Sequence, residues 1–274
     1  LHRFVTIGND GHVRKHLFEA RLPVSGMVAG GAQLSADAQG RILLTGYNEN
    51  IWFGNTNMIL WRYTPEGSLD ASFNVTLVSG GQGFAIPDWI SPGLGNEAGR
   101  AVAVASDGTI LVVGERTNSS GNKDMVAWRY TEEGTYLDKF VYDAGGDDVG
   151  HAIAVDASGR ILVAGESQGV TGGKDLVVWR YESNGTLVDK LIYDGGGDDI
   201  GRAIAVDASG RIFVAGEAGK GNQDLLVCRF GPDGVSEGTF AYDGGNGDDR
   251  ARAVSLDAEG RILVAGETAG NGGG

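Results

Sequence analysis

Cysteine is almost missing from this chain: Cys228 is the single one in 274 residues, so no internal disulfide can hold the fold. Proline is scarce too, at 5 residues against 48 glycines. Positive charge is in deficit, with 22 Lys and Arg against 36 Asp and Glu and a net charge of −14. That balance argues against nucleic acid and against anionic membrane surfaces as partners. No apolar run reaches the 18 residues that a membrane-spanning helix needs, so no direct membrane insertion is expected. A charged-then-apolar leader is not visible, and the chain opens on Leu1, so a removed leader or a longer parent protein is expected. The histidines, His2, His12, His16 and His151, are too scattered to predict a metal site. The P-loop and the heme Cys-x-x-Cys-His pattern are absent from the sequence.

What the chain does have is repetition. The phrases ILLTG, ILVVG, ILVAG, IFVAG and ILVAG recur, ending at Gly46, Gly114, Gly165, Gly216 and Gly266 in steps of 68, 51, 51 and 50 residues. Running off the C-terminus and on to Gly46 gives a further step of 54. A period near 50 marks a propeller or array, and a wrap-around step of one period predicts that the array closes into a ring. Length alone suggests two domains, but large β folds reach this size as one.

The repeat around Gly165 is easily read. Ala152 to Asp156 is a short apolar run ended by the turn Asp156-Ala-Ser-Gly159, with glycine where positive φ is needed. Ile161 to Gly165 is apolar at every position, as suits a strand covered on both faces. Asp175 to Tyr181 and Leu187 to Tyr193 follow, the last with Asp189 and Lys190 at its centre. Four strands that grade from apolar to partly charged predict a propeller blade, whose outermost strand meets water. The expected fold is an all-β five-bladed propeller in residues 1–274, with four-stranded antiparallel blades. Full blades are expected over 32–79, 101–143, 152–194 and 203–243. A closing blade would take its inner strands from 253–267 and its outer strands from 1–19, with Leu1–Phe4 pairing Ile262–Gly266. Such closure removes exposed sheet edges. A linear solenoid would need polar caps, and none is visible.

The run from Tyr193 to Glu217, YDGGGDDIGRAIAVDASGRIFVAGE, resembles the bacterial β-propeller repeat (SBBP). The pattern from Trp179 to Leu187 resembles the delta-60 repeat. The resemblance covers nearly the whole chain and implies a place at a bacterial surface or outside the cell. It implies no common catalytic residues, and fold does not dictate function.

In a propeller, the loops before the first strand and after the second share one face. That face gathers Asp147 and Asp148, Asp198 and Asp199, Asp248 and Asp249, with Glu115, Glu166, Glu217 and Glu267 after the second strands and Asp124, Asp175 and Asp224 opening the third. Arg100, His151, Arg202 and Arg252 are interleaved at the mouth of the central channel. Oxygen ligands on flexible loops suit Ca²⁺. The dedicated Asp-x-Asp-x-Asp-Gly loop is absent, however, and residues repeated in every blade are expected to be structural. The preferred reading is that no cofactor is required, with weak Ca²⁺ binding at the Asp pairs as the alternative. Arg3, Arg62, Arg129, Arg180 and Arg229 recur in the third strand and are read as architecture, since a buried charge there needs a partner. Cys228 takes the slot held by Trp61, Trp128 and Trp179, and is read as a small buried hydrophobe.

Departures from the repeat carry the functional expectation. The step of 68 holds an insertion over 80–97, and the loop after Gly46 reads Tyr47-Asn-Glu-Asn-Ile-Trp-Phe53. Tyr47, Trp52, Phe53, Phe84 and Trp89 are expected to form a partner-binding aromatic patch, since such side chains bury large area at low entropy cost. The expected function is a non-enzymatic, extracellular or cell-surface module that binds protein or glycan in adhesion or assembly. The alternative is a five-bladed glycosidase-like enzyme. It needs two carboxylates on the acidic face that break the repeat, and Glu49, Asp88 and Glu97 are the candidates.

Overall fold

The computed structural model describes residues 6–7, 13–14, 34–50, 54–74, 83–86, 95–169, 172–219, 221–245 and 247–269. These are strands and turns throughout. A short hairpin comes first, β1 (Thr6–Ile7) with β2 (Val13–Arg14). Four four-stranded antiparallel sheets follow. The first comprises β3 (Leu34–Ala36), β4 (Ile42–Asn50), β5 (Asn55–Tyr63) and β6 (Phe84–Ala85). The second comprises β7 (Glu97–Val104), β8 (Ile110–Thr117), β9 (Lys123–Tyr130) and β10 (Tyr136–Tyr142). The third is β11 (Asp148–Val155), β12 (Ile161–Gln168), β13 (Lys174–Tyr181) and β14 (Leu187–Tyr193). The fourth is β15 (Ile200–Val206), β16 (Ile212–Ala218), β17 (Asp224–Phe230) and β18 (Ser236–Tyr242), and β19 (Asp249–Leu256) pairs with β20 (Ile262–Thr268) beyond it.

Burial follows the sequence gradient. The strands β12 and β13 are buried almost end to end, whereas β14 and β18 are mostly exposed. The first strands β7, β11, β15 and β19 pack successively against one another and so face the propeller axis. Between blades the second and third strands interdigitate: Leu111, Val113 and Met125 pack with Val163, Val177 and Trp179, and Leu162, Leu176 and Val178 with Val214, Leu226 and Cys228. Each fully buried aliphatic side chain in these seams contributes about 2 kcal/mol. Trp61, Trp128 and Trp179 are fully buried. Cys228 shares their position, and burial pushes its thiol up to about 12, which makes it an inert core residue.

Two features differ from the expected plan. The fourth strand of the first sheet is Phe84–Ala85, with Phe84 opposite Trp61, so this blade extends past residue 79 and takes its outer strand from the insertion. Among the described residues β1–β2 and β19–β20 are separate two-stranded sheets, with no closed sheet. The expected pairing partner Leu1–Phe4 lies outside those residues, as does Arg3.

Candidate functional site

The first strands β7, β11, β15 and β19 each carry one extra residue against their partner. The register slips between Gly99 and Ala101, Gly150 and Ala152, Gly201 and Ala203, and Ala251 and Ala253. The bulged residues are Arg100, His151, Arg202 and Arg252. A bulge bends the strand and re-aims its side chain, and here it brings the first-strand backbone against the repeat glycine. A Cβ on Gly165 would sit 1.9 Å from the Val149 carbonyl oxygen. The glycine that defines the repeat is therefore required by the bulge.

Every bulged residue meets the glutamate that follows that glycine. Arg100 pairs with Glu115 (Nη2–Oε1 2.7 Å), Arg202 with Glu217 (Nη2–Oε1 2.6 Å) and Arg252 with Glu267. His151 alone replaces arginine, with Nε2 3.2 Å from Glu166 Oε2. Lys174 Nζ donates to Glu166 Oε1 at 2.5 Å. Burial pushes the Glu166 carboxyl up, but His151 and Lys174 outweigh it and hold the group well below the usual carboxylate range. Burial drives the His151 imidazole below its ordinary value, Glu166 opposes this, and the neighbouring Arg202 and Arg100 add to the lowering. With Glu166 ionised and His151 neutral, Nε2 carries the proton of the shared hydrogen bond and Nδ1 keeps a lone pair. A carboxylate-oriented imidazole has the arrangement that general-base chemistry requires. In the first blade Tyr47 follows the repeat glycine where the others have glutamate, and it is partly buried.

Further from the axis on the same face lie the Asp pairs. The first member of each staples one blade to the previous one: Asp147, Asp198 and Asp248 accept the backbone N–H of Lys123, Lys174 and Gln223 at 2.9, 3.0 and 3.0 Å. The second members, Asp148, Asp199 and Asp249, are at most 1% exposed. Their Oδ2 atoms accept N–H groups of the preceding glycine-rich loop at 2.7, 2.6 and 2.5 Å. Burial raises the Asp148 and Asp199 carboxyls, and raises Asp175 with help from Asp194.

The expected aromatic patch is only partly visible. Trp52, Phe53 and Trp89 lie outside the described residues. Phe84 is 5% exposed and packs with Ile59, Trp61 and Ile86, because it belongs to a strand laid over the apolar β5. Of the repeat-breaking carboxylates, Glu97 is buried with Lys139 Nζ at 3.5 Å, and Asp88 lies outside the described residues, as does the side chain of Glu49. The third-strand arginines behave as architecture. Arg62 donates to Glu132 O, Arg129 to Ser183 O (2.6 Å) and Arg180 to Pro232 O (3.1 Å), in each case from one blade to the next. Sequence reasoning passed over His151 as an isolated histidine. Its signal was the substitution itself, one imidazole in a slot that otherwise holds arginine.

Four segments, residues 39–73, 105–135, 157–187 and 208–240, match the β-propeller domain of unknown function DUF5122. The chain is thus built from a β-propeller repeat, a coarser assignment than the SBBP or delta-60 repeats. No curated protein matches by sequence. Among solved structures it is similar to a glucose dehydrogenase at 15% identity and TM-score 0.55, over 97% of this chain and 87% of that one. A second glucose dehydrogenase is similar at 16% identity and TM-score 0.51, over 96% and 87%. A thermostable family-43 glycoside hydrolase follows at 12% identity and TM-score 0.49, over 88% and 86%. The two glucose dehydrogenases carry enzyme names, and the expectation of a non-enzymatic surface module is corrected on that finding. At such identities the likeness itself establishes the fold, and the chemistry has to be read from the residues of the site.

Proposed function

We propose that this propeller is an enzyme acting on a small sugar or sugar-derived substrate at the acidic end of its axis, with His151 as general base and Glu166 orienting it. The observation that carries the reading is the break in the bulge ring, where one imidazole stands among arginines and is hydrogen-bonded to a buried glutamate. A water or substrate hydroxyl gives its proton to His151 Nδ1. Arg100 and Arg202, the bulged residues of the two adjacent blades, stabilise the negative charge that develops on oxygen. Their side chains are 36% and 26% exposed and so within a substrate's reach. A pair of ring carboxylates working as acid and nucleophile has less support, because Glu115 and Glu217 are each engaged by arginine. The names of the similar solved propellers point to sugars as the substrate class. In the fuller form of this reading the ring has five blades, the last shared by β19–β20 and the N-terminal hairpin. The protein works outside a bacterial cell and does not bind nucleic acid.

The test is an assay of the purified chain on aryl glycosides, sugar lactones, and glucose with an artificial electron acceptor, followed by His151→Arg. That substitution restores the repeat and should leave the melting temperature unchanged while kcat falls about 10²- to 10⁴-fold. Because the imidazole is held below its ordinary 6.5, kcat/KM should stay level down to that pH and decline only below it. Turnover of none of these substrates, or full activity in His151→Arg, defeats the proposal.

A further inference from the structure

The acidic clusters between blades are not equivalent, and the difference points to a ligand. Where the second sheet meets the third, Asp124 has a cation supplied by the chain itself. Arg116 Nε lies 3.2 Å from Asp124 Oδ2, and Asn118 Nδ2 donates to Oδ1 at 2.7 Å. In the register of the sheets Arg116 stands opposite Asp124, and the same slot holds Ser167 opposite Asp175 and Ala218 opposite Asp224. The two later junctions keep the carboxylates and lose the arginine.

What remains is two groups of three aspartates, Asp175 with Asp194 and Asp199, and Asp224 with Asp243 and Asp249. In each, one carboxylate oxygen per residue lies within 4.8 Å of the other two. Two oxygens on one Ca²⁺ stand at most about 5 Å apart, twice the 2.3–2.6 Å bond, so this spacing is compatible with a single shared ion. Asp175 is nine-tenths buried and Asp199 wholly buried, and the Oδ1 of each receives no hydrogen bond. Asp224 Oδ1 is likewise buried and unpartnered. A buried carboxylate oxygen without a donor is costly, and the chain supplies no cation to the oxygen there. The third member, Asp194 or Asp243, is more exposed and leaves a way in from solvent.

We propose that each of these two junctions binds a calcium ion, which takes the place that the Arg116 guanidinium holds at the earlier junction. Oxygen-only donors with no histidine or thiol select a hard divalent cation over zinc or copper. Three carboxylates from separate loops, without an octahedral frame, suit Ca²⁺ over Mg²⁺. The ion ties the third strand and outer loop of one blade to the first strand of the next. This proposal is independent of the His151 chemistry, and its test does not use activity.

The experiment is calorimetric titration of the EDTA-treated, desalted chain with CaCl₂ and with MgCl₂, beside thermal melts in each salt. Two Ca²⁺ per chain and a melting temperature that rises and saturates are expected, with a smaller rise in MgCl₂. Ala218→Arg, which copies the earlier junction, should cut the stoichiometry from two to one. Asp194→Asn with Asp243→Asn touches only the exposed ligands, so the fold is kept while the Ca²⁺-dependent rise is lost. No binding at millimolar CaCl₂, or an Ala218→Arg protein that still takes two ions, overturns the proposal. A larger response to MgCl₂ than to CaCl₂ overturns the choice of metal, and an unchanged rise in the double Asn variant overturns the location.

Discussion

The two ends of the blades are joined by opposite means. At one end the third-strand arginines reach across the seam. Arg62 meets Asp70 of its own blade at 2.7 Å and Glu132 O of the next, and Arg180 meets Asp189 and the carbonyls of Pro232 and Asp233. Both signs of charge come from the chain, and the carbonyl dipoles of the neighbouring turn complete the shell. At the other end aspartates reach across, and in two junctions of three a group of three aspartates stands together where the remaining junction has the Arg116–Asp124 pair. The first arrangement is complete in itself and reads as architecture. The second leaves buried carboxylate oxygens of Asp175, Asp199 and Asp224 without a hydrogen-bond donor, which is why the search for ligands belongs there. The bulge ring shows the same logic on a smaller scale, three of its members being self-sufficient Arg–Glu pairs and the fourth a neutral imidazole.

The largest effect should come from breaking the self-sufficient end. Arg62 is 2% exposed, and its guanidinium lies 4.4 Å from the centre of the Phe73 ring. Arg62→Ala leaves Asp70 without its cation and the Glu132 carbonyl without its donor. Removing one partner of a buried pair costs about 3–5 kcal/mol, and urea unfolding should read a loss in that range. A loss below 1 kcal/mol would mean that the arginine end does not hold the blades.

A middle-sized effect should follow from converting the one compensated acidic junction into the other kind. Arg116→Ala removes the cation from Asp124, which is wholly buried. In EDTA the variant should lose about 1.5–3 kcal/mol, the worth of a hydrogen bond to a charged group. If the junctions are interchangeable, Ca²⁺ should recover most of that loss. Equal losses with and without Ca²⁺ would show that Arg116 does something the ion cannot.

Much of this was legible in the sequence, for a physical reason. A repeat of 50 residues writes each strand several times over, so blade boundaries, buried second strands and turns appear by comparison within the chain. The architectural role of Arg129 and Arg180 was readable because a periodic charge in an apolar strand has to have a periodic partner. The site was harder. The Asp pairs were visible, but Asp194 and Asp243 join them only through the fold, which returns the end of the fourth strand to the start of the third. Phe84 was misplaced because an aromatic in an insertion looks the same whether it caps a loop or forms an outer strand. His151 was in plain view as a residue type and hidden as a role, since the bulge that aims it is a matter of strand register.

The smallest effect belongs to the turns at the self-sufficient end, and it has a definite sign. Asp207 opens the turn Asp207-Ala-Ser-Gly210. Its Oδ1 accepts from Ser209 N and Arg211 N at 2.9 Å each and from Ser209 Oγ at 2.7 Å, and Oδ2 accepts from Arg211 Nε at 2.7 Å. Burial pushes the carboxyl up, but the serine and arginine donors win and lower it from 3.8 to about 2. A carboxylate whose folded value lies below its unfolded one stabilises the fold above the unfolded value, and the gain is lost as pH falls through the folded value. The contribution of Asp207 should therefore be whole above about pH 4 and gone below about 2. The pair with Arg211 is largely open to water, so screening holds its worth below about 1 kcal/mol. Asp207→Asn should lower stability by that small amount at pH 7 and by nothing near pH 2, as read by urea midpoints across the range. A variant that is equally destabilised at both ends would assign the turn's strength to shape alone and remove charge from the account of this end of the blades.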